Sequence, residues 1–222
     1  LYLKNAVDTV KDQTYFLWML TEENLRRTIF PLGGLTKTQV RQIALEHGHE
    51  TLSKKAESQD ICFIPNNDYR TFLTEQGLQI EPGDYMDKTG KILGKHCGYC
   101  NYTIGQRKGL GIALGSPKHV LKIDAQTNTV VLGDHDELYT CDVQACDVRI
   151  RDMQWLADSP QVTARIRYKS PAVSAILQIS PIINGQSPII NIHFDQPVWG
   201  VTPGQSLVIY KDGLLVGGGI IQ

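Results

Sequence analysis

The sequence predicts a multidomain α+β chain with three parts: a helical first part that reads as the tail of a larger domain, a small mixed central domain, and a C-terminal β-barrel. Three observations carry this. Helix caps precede apolar periodicity in residues 1–65, glycine-punctuated short segments fill 66–137, and β-branched runs dominate 138–222. The opening LYLKNAVDTVKDQ, without an initiator Met, reads as the middle of a longer polypeptide.

In the first part, Thr21 followed by Glu22, Glu23 and Asn24 predicts a helix with Thr21 as N-cap and acids in its first turn. After FPLGGL, Thr36 or Thr38 caps a second helix, TKTQVRQIALEHG. There Val40, Ile43 and Ala44 make an apolar stripe and Gly48 ends the run. In the central part, Asp68 caps the short helix DYRTFLTEQG, and Asp87 to Gly90 reads as a hairpin turn. HVLKIDAQTNTVVLGD is a strand, a turn at Gln126–Thr127–Asn128 and a second strand. In the last part VTARIRYK, AVSAILQI, IINIHFDQPV, GQSLVIYKDG and LLVGGGII are short strands, and five or six strands in this length suit a small closed barrel.

Composition excludes several classes. No apolar run approaches the roughly 20 residues that cross a bilayer, so no membrane partner is expected. Net charge is −1 and even along the chain: eight basic and eight acidic residues in 1–65, eight and nine in 66–137, six and six in 138–222. A nucleic-acid partner therefore has to be argued from local patches. Five cysteines, an odd number without an export signal, point to reduced thiols in a cytoplasm.

Three stretches carry candidate chemistry. Cys62, in ESQDICFI (57–64), is either a packed small hydrophobe or a reactive thiol. Lys54 and Lys55 would favour its thiolate, while Glu57 and Asp60 would oppose it. GYCNYTIGQRKGLGIA (98–113) sets Gln106, Arg107 and Lys108 among Gly105, Gly109 and Gly111. It reads as a plain glycine-rich turn or as a loop offering amides and cations to RNA or a phosphate, with Tyr99 and Tyr102 nearby. In TARIRYKS (163–170), Arg165, Arg167 and Lys169 share a strand face by period two, which is a solvated face or a phosphate-tracking edge. A metal is not expected. Cys97-x-x-Cys100 and Cys141-x4-Cys146 supply four thiols, but the second spacing is loose and 40 residues separate the pairs.

Together, KDQTYFL (11–17), FPLG (30–33), ESQDICFI (57–64), YTIGQRKGLGI (102–112), VTPGQS (201–206) and GGGII (217–221) resemble, in order, the bacterial tRNA-specific 2-thiouridylases. The resemblance covers essentially the whole chain. It implies ATP-dependent (with Mg) adenylation of the wobble uridine at C2, followed by sulfur delivery from a protein persulfide loaded by a sulfur-relay donor protein. Cys62 is then the persulfide carrier, and a second cysteine on the nucleotide-binding domain closes an intramolecular disulfide after transfer. The tRNA contacts carried over are Lys11, Asp12, Gln13, Arg167, Tyr168 and Gln205, with the anticodon stem-loop as ligand. Because Arg167 and Tyr168 would face opposite sides of a regular strand, they are expected at a strand end or barrel rim. The family's SGGxDS-type phosphate loop and the second cysteine are not among these residues. The chain thus reads as the last two-thirds of such an enzyme: residues 1–65 the end of the α/β adenylation domain, 66–137 the central domain, and 138–222 the tRNA-binding barrel. By itself it is expected to be inactive. The rival reading is a non-catalytic RNA-binding barrel module.

Overall fold

The computed structural model describes residues 1–55, 64, 68–180 and 188–222. The fold class is the expected one, an α+β multidomain chain with a C-terminal barrel. The polypeptide divides into two compact units, one built from Leu1–Ala56 with Thr140–Gln222, the other from Glu57–Tyr139.

The first unit is organised by a closed six-stranded barrel. Its strands are β6 (Tyr139–Ile150), β7 (Gln161–Arg165), β8 (Val173–Ser180), β9 (Ile189–Trp199), β10 (Ser206–Lys211) and β11 (Leu214–Ile221), in the cyclic order β11-β10-β7-β8-β9-β6. The register alternates inward Val162, Ala164, Ala175, Leu177, Ile190, Ile192, Phe194, Leu207 and Ile209 with outward residues, which fills the interior with one apolar core. The edge of β11 is shared between two partners. Its far end, Gly217–Ile221, pairs with β6 and closes the barrel, while Leu214 and Leu215 pair with the two-residue β1 (Leu3–Lys4).

A second apolar cluster lies on the outside of this wall. Tyr15 and Trp18 are buried there against Val208, Tyr210 and Leu215. The glycines of β11 make the approach possible: a Cβ on Gly218 would sit 2.5 Å from the Leu207 carbonyl oxygen and 3.0 Å from Trp18 Cδ2.

The expected caps are present. Thr21 accepts from Asn24 N–H ahead of α1 (Glu22–Arg27), and Thr36 rather than Thr38 caps α2 (Lys37–Glu46). Gly48 takes φ 76° after α2, and the His49 amide donates back to the Ala44 carbonyl. The apolar stripe of α2 is not covered: none of the helix's residues is buried, and Ile43 remains 41% exposed. A short α3 (Glu50–Lys54) follows, and α5 (Met153–Asp158, after α4 below) lies between β6 and β7.

The second unit opens with α4 (Tyr69–Glu75), capped by Asp68 as expected, which accepts from Thr71 N–H. Its sheet has the order β3-β2-β5-β4, from β2 (Gly83–Met86), β3 (Ile92–His96), β4 (His119–Asp124) and β5 (Thr129–Gly133), with β2 and β5 parallel. The hairpin turn at Asp87–Gly90 and the turn at 126–128 fall where the sequence places them, the second with Asn128 at φ 49°. Tyr85, Leu110, Val120, Val130 and Leu132 form the core. Among the described residues no helix is long and apolar enough to cross a membrane.

Candidate nucleic-acid interface

Four of the nominated tRNA contacts, Gln13, Arg167, Tyr168 and Gln205, meet on one rim of the barrel, assembled from distant parts of the sequence. The KDQTYF segment forms a tight turn because Asp12 folds it onto itself. The buried Asp12 carboxylate accepts from Thr14 N (2.7 Å), Thr14 Oγ1 (2.5 Å) and Ala6 N (3.2 Å). A single turn of 3-10 helix, Thr14–Phe16, follows. Its three-residue period sends Tyr15 and Trp18 into the barrel wall and Gln13 and Phe16 outward. Tyr15 Oη donates to the Ser206 carbonyl at 2.8 Å, and Trp18 Nε1 donates to Ser206 Oγ at 3.0 Å. Burial, opposed by the Arg167 charge, pushes the Tyr15 hydroxyl up to about 12, so it remains a donor.

Strand β7 ends at Arg165, and residues 166–170 turn, with the Ser170 amide donating to the Arg167 carbonyl at 3.1 Å. Arg167 and Tyr168 therefore lie past the strand end. The shared face expected for Arg165, Arg167 and Lys169 does not form, because the period of two stops where the ladder stops. Tyr168 Oη accepts from Gln13 Nε2 at 3.1 Å, and its ring lies 4.6 Å from that of Phe16. Arg167 reaches the next loop: Nη2 donates to the Gly200 carbonyl (2.6 Å) and Thr202 Oγ1 (2.7 Å), and the guanidinium lies 5.7 Å over the Trp199 ring. Gly200 has φ 70°, and a Cβ there would stand 3.1 Å from Arg167 Nη2, so glycine satisfies both backbone and space.

The nominated residues thus separate by role. Gln13 is exposed and joined to Tyr168; Arg167 anchors the Gly200–Thr202 turn; exposed Gln205 sits on the same turn, its amide donating to the Thr202 carbonyl at 3.2 Å. Asp12 faces inward with its oxygens engaged. Lys11 is half-buried, its amide donating to the Asp8 carbonyl at 3.1 Å. The sequence reading passes over Phe16, 57% exposed, and Trp199. The signals were present: an aromatic three residues after Gln13, and another immediately before the GVTPGQ turn.

The second unit holds the glycine-rich loop. Gln106 is spent on the loop itself, its Oε1 accepting from Thr103 N and its Nε2 donating to the Lys108 carbonyl, both at 3.0 Å. Arg107 and Lys108 are exposed, and a cavity of about 550 Å³ runs from Arg107 along Gly109–Leu114 to Lys118. Cys62 lies outside the described residues. Lys54, named as its possible cation, is exposed at the end of α3, 3.7 Å from Glu50. The described cysteines, Cys97, Cys100, Cys141 and Cys146, are free thiols. Among the described residues no group of three or more His, Cys, Asp or Glu is placed to hold a metal ion, and the chain has no SGGxDS loop.

Three family models match in succession: a tRNA methyl transferase HUP domain over residues 1–66, a tRNA methyl transferase PRC-barrel domain over 70–134, and an aminomethyltransferase beta-barrel domain over 145–221. Among curated proteins, the chain is 46% identical over 221 residues to the tRNA-specific 2-thiouridylase MnmA of Acetivibrio thermocellus, covering 99% of this chain and 60% of that protein. The MnmA of Halothermothrix orenii is 46% identical over 222 residues (99% and 60%), and that of Desulfitobacterium hafniense 40% over 227 (99% and 61%). The chain spans about 60% of the length of these curated relatives.

Proposed function

The chain belongs to the tRNA-specific 2-thiouridylase family, and from that premise we propose that it is the tRNA-holding and sulfur-carrying portion of an enzyme that puts sulfur on C2 of the wobble uridine. The reaction of the whole enzyme is ATP-dependent, takes place in the cytoplasm, and draws its sulfur from a relay donor protein. ATP and Mg are held by parts beyond these residues. The observation that carries the reading is the hydrogen bond from Gln13 to Tyr168, at 3.1 Å. It joins two segments that the resemblance nominates separately as tRNA contacts.

Each group on the rim has a task suited to an anticodon loop. Phe16 and Tyr168 offer aromatic faces on which an unpaired base stacks. Arg167 presents a cation next to them, and Gln13 and Gln205 present amides that read base edges. Asp12 serves by holding the turn, and Lys11 adds positive charge beside it. In the other unit, Arg107 and Lys108 on the glycine-rich loop face solvent and suit the RNA backbone, with Gln106 shaping the loop. Residues 1–65 complete an adenylation domain, 66–137 form the central domain, and 138–222 grip the RNA.

The sulfur chemistry belongs to Cys62. Its thiolate attacks the outer sulfur of the donor's persulfide and releases the donor's thiolate. The outer sulfur of the Cys62 persulfide then attacks C2 of the activated uracil and the adenylate leaves. The family's second cysteine cleaves the S–S bond by closing a disulfide with Cys62, which supplies the two electrons. The wobble base has to leave its stack to reach that sulfur, at modest cost in a single-stranded loop. In the full-length enzyme Cys62→Ser is expected to abolish 2-thiouridine formation, read by nucleoside mass spectrometry, with tRNA affinity nearly unchanged. If Cys62 gains no sulfur after incubation with a persulfide donor, the chain acts as a non-catalytic RNA-binding barrel.

A further inference from the structure

Outside the rim, the end of β6 carries two arginines that the reading above does not use. Ile150 pairs with Gly217 and packs against the barrel core, so Arg149 is exposed on the outer surface, while Arg151, just past the strand end, is half-buried. Arg149 pairs with Gly218, the residue over which Trp18 lies, and the Arg151 amide continues the ladder by donating to the Val216 carbonyl at 3.0 Å. The two arginines therefore flank the wall on which the Gln13–Trp18 turn is docked.

The Arg151 side chain is unlike the other arginines that have partners. Arg26 and Arg27 pair with Glu22 and Glu23, and Arg167 bonds Gly200 and Thr202. Arg151 Nε and Nη2 are buried and have no hydrogen-bond partner, and among the described residues no carboxylate pairs with Arg149 or Arg151. A guanidinium is donor-only and stays charged, so buried N–H groups without an acceptor are a standing cost to the fold. Burial and the neighbouring Arg149 charge hold Arg151 below its ordinary range, which expresses the same cost.

We infer that Arg151, supported by Arg149, is a receptor for a backbone phosphate of the bound RNA, extending the contact surface from the rim along the outer wall. A phosphodiester supplies what the site lacks, a negative charge and paired oxygens matching the guanidinium fork, once the Arg151 side chain turns outward from its buried setting toward the exposed Arg149. Successive phosphates on one strand also suit two arginines two residues apart. The inference rests on the tRNA reading.

The test measures tRNA binding by this chain at several salt concentrations, for wild type, Arg151→Met, Arg151→Lys and Arg167→Ala. Arg151→Met is expected to weaken binding roughly tenfold and to flatten the slope of log K against log salt by about 0.7–0.9. Its thermal midpoint should hold or rise, because an uncompensated charge is gone. Arg151→Lys, which keeps charge but loses the fork, should fall between the two. In a second arm, inorganic phosphate at matched ionic strength should raise the thermal midpoint of wild type and not of Arg151→Met.

Unchanged affinity and slope in Arg151→Met, with Arg167→Ala weakened, would overturn the phosphate assignment and point to a protein carboxylate. A lowered midpoint would make Arg151 structural. If wild type binds no tRNA yet phosphate stabilises it through Arg151, the anion site stands and the tRNA reading falls. If neither ligand responds, both fall.

Discussion

The docking of the Gln13–Leu20 turn can be broken at one residue. Trp18 is 2% exposed, lies against Gly218 and donates through Nε1 to Ser206 Oγ at 3.0 Å. Truncating a buried Trp to Ala costs about 3–5 kcal/mol in lost transfer energy and residual cavity. Ser206 Oγ, only part-buried, can turn to water, so the lost hydrogen bond adds little. What remains holding the turn is Tyr15 with its bond to the Ser206 carbonyl and the internal Asp12–Thr14 links. At about 1.4 kcal/mol per factor of ten, Trp18→Ala should multiply the local opening constant by roughly 10² to 10³·⁵. Amide hydrogen exchange reads this directly. Phe16, Leu17 and Leu20 amides are hydrogen-bonded within the turn and should exchange faster by that factor, whereas the paired amides of β8 and β9 should change much less. RNA affinity should fall with the open fraction. Uniform acceleration across turn and barrel would refute the idea of a separately docked element. Unchanged exchange at Leu17 would show that Trp18 is not its anchor.

Gly200→Ala combines left-handed backbone strain with a Cβ 3.1 Å from Arg167 Nη2, so it should lower stability by about 1–3 kcal/mol. Urea unfolding checks this, and an unchanged midpoint would contradict the packing argument. Stability of the second unit should depend on pH through His96 and His119, both held below the usual imidazole range, chiefly by burial. The unfolded chain then takes up protons first as pH falls. Stability is full above the unfolded value of about 6.5 and is lost on descending from there toward the lower folded values. Unfolding midpoints that stay flat or rise on acidification across that window would count against it.

Much of the local structure was legible from the sequence because it is set by neighbours. Thr21, Thr36 and Asp68 cap the helices expected of them, since each needs only an amide three residues on. The strands β7 to β11 follow from β-branched runs between turn residues. The twelve-residue β6, YTCDVQACDVRI, does not stand out in the sequence because Asp and Cys dilute the pattern, although its burial alternates around Val143 and Ala145. Strand β1 has two residues and exists only through Leu214 and Leu215. The rim was half legible. Its members could be nominated from motifs, but the Gln13–Tyr168 bond and the Phe16–Tyr168 contact span about 150 residues and depend on where β7 stops. No local pattern encodes such a meeting.

The pairing of Leu3 with Leu215 has a consequence for biosynthesis. At about 5–20 residues per second on the ribosome, the first strand waits roughly 10–40 s for its partner to be made. Through that interval Tyr15 and Trp18 have no wall to cover them, because Val208, Tyr210 and Leu215 are still untranslated. The nascent polypeptide must shield this aromatic segment until Val208, Tyr210 and Leu215 have been made, which makes the region a natural client for chaperones.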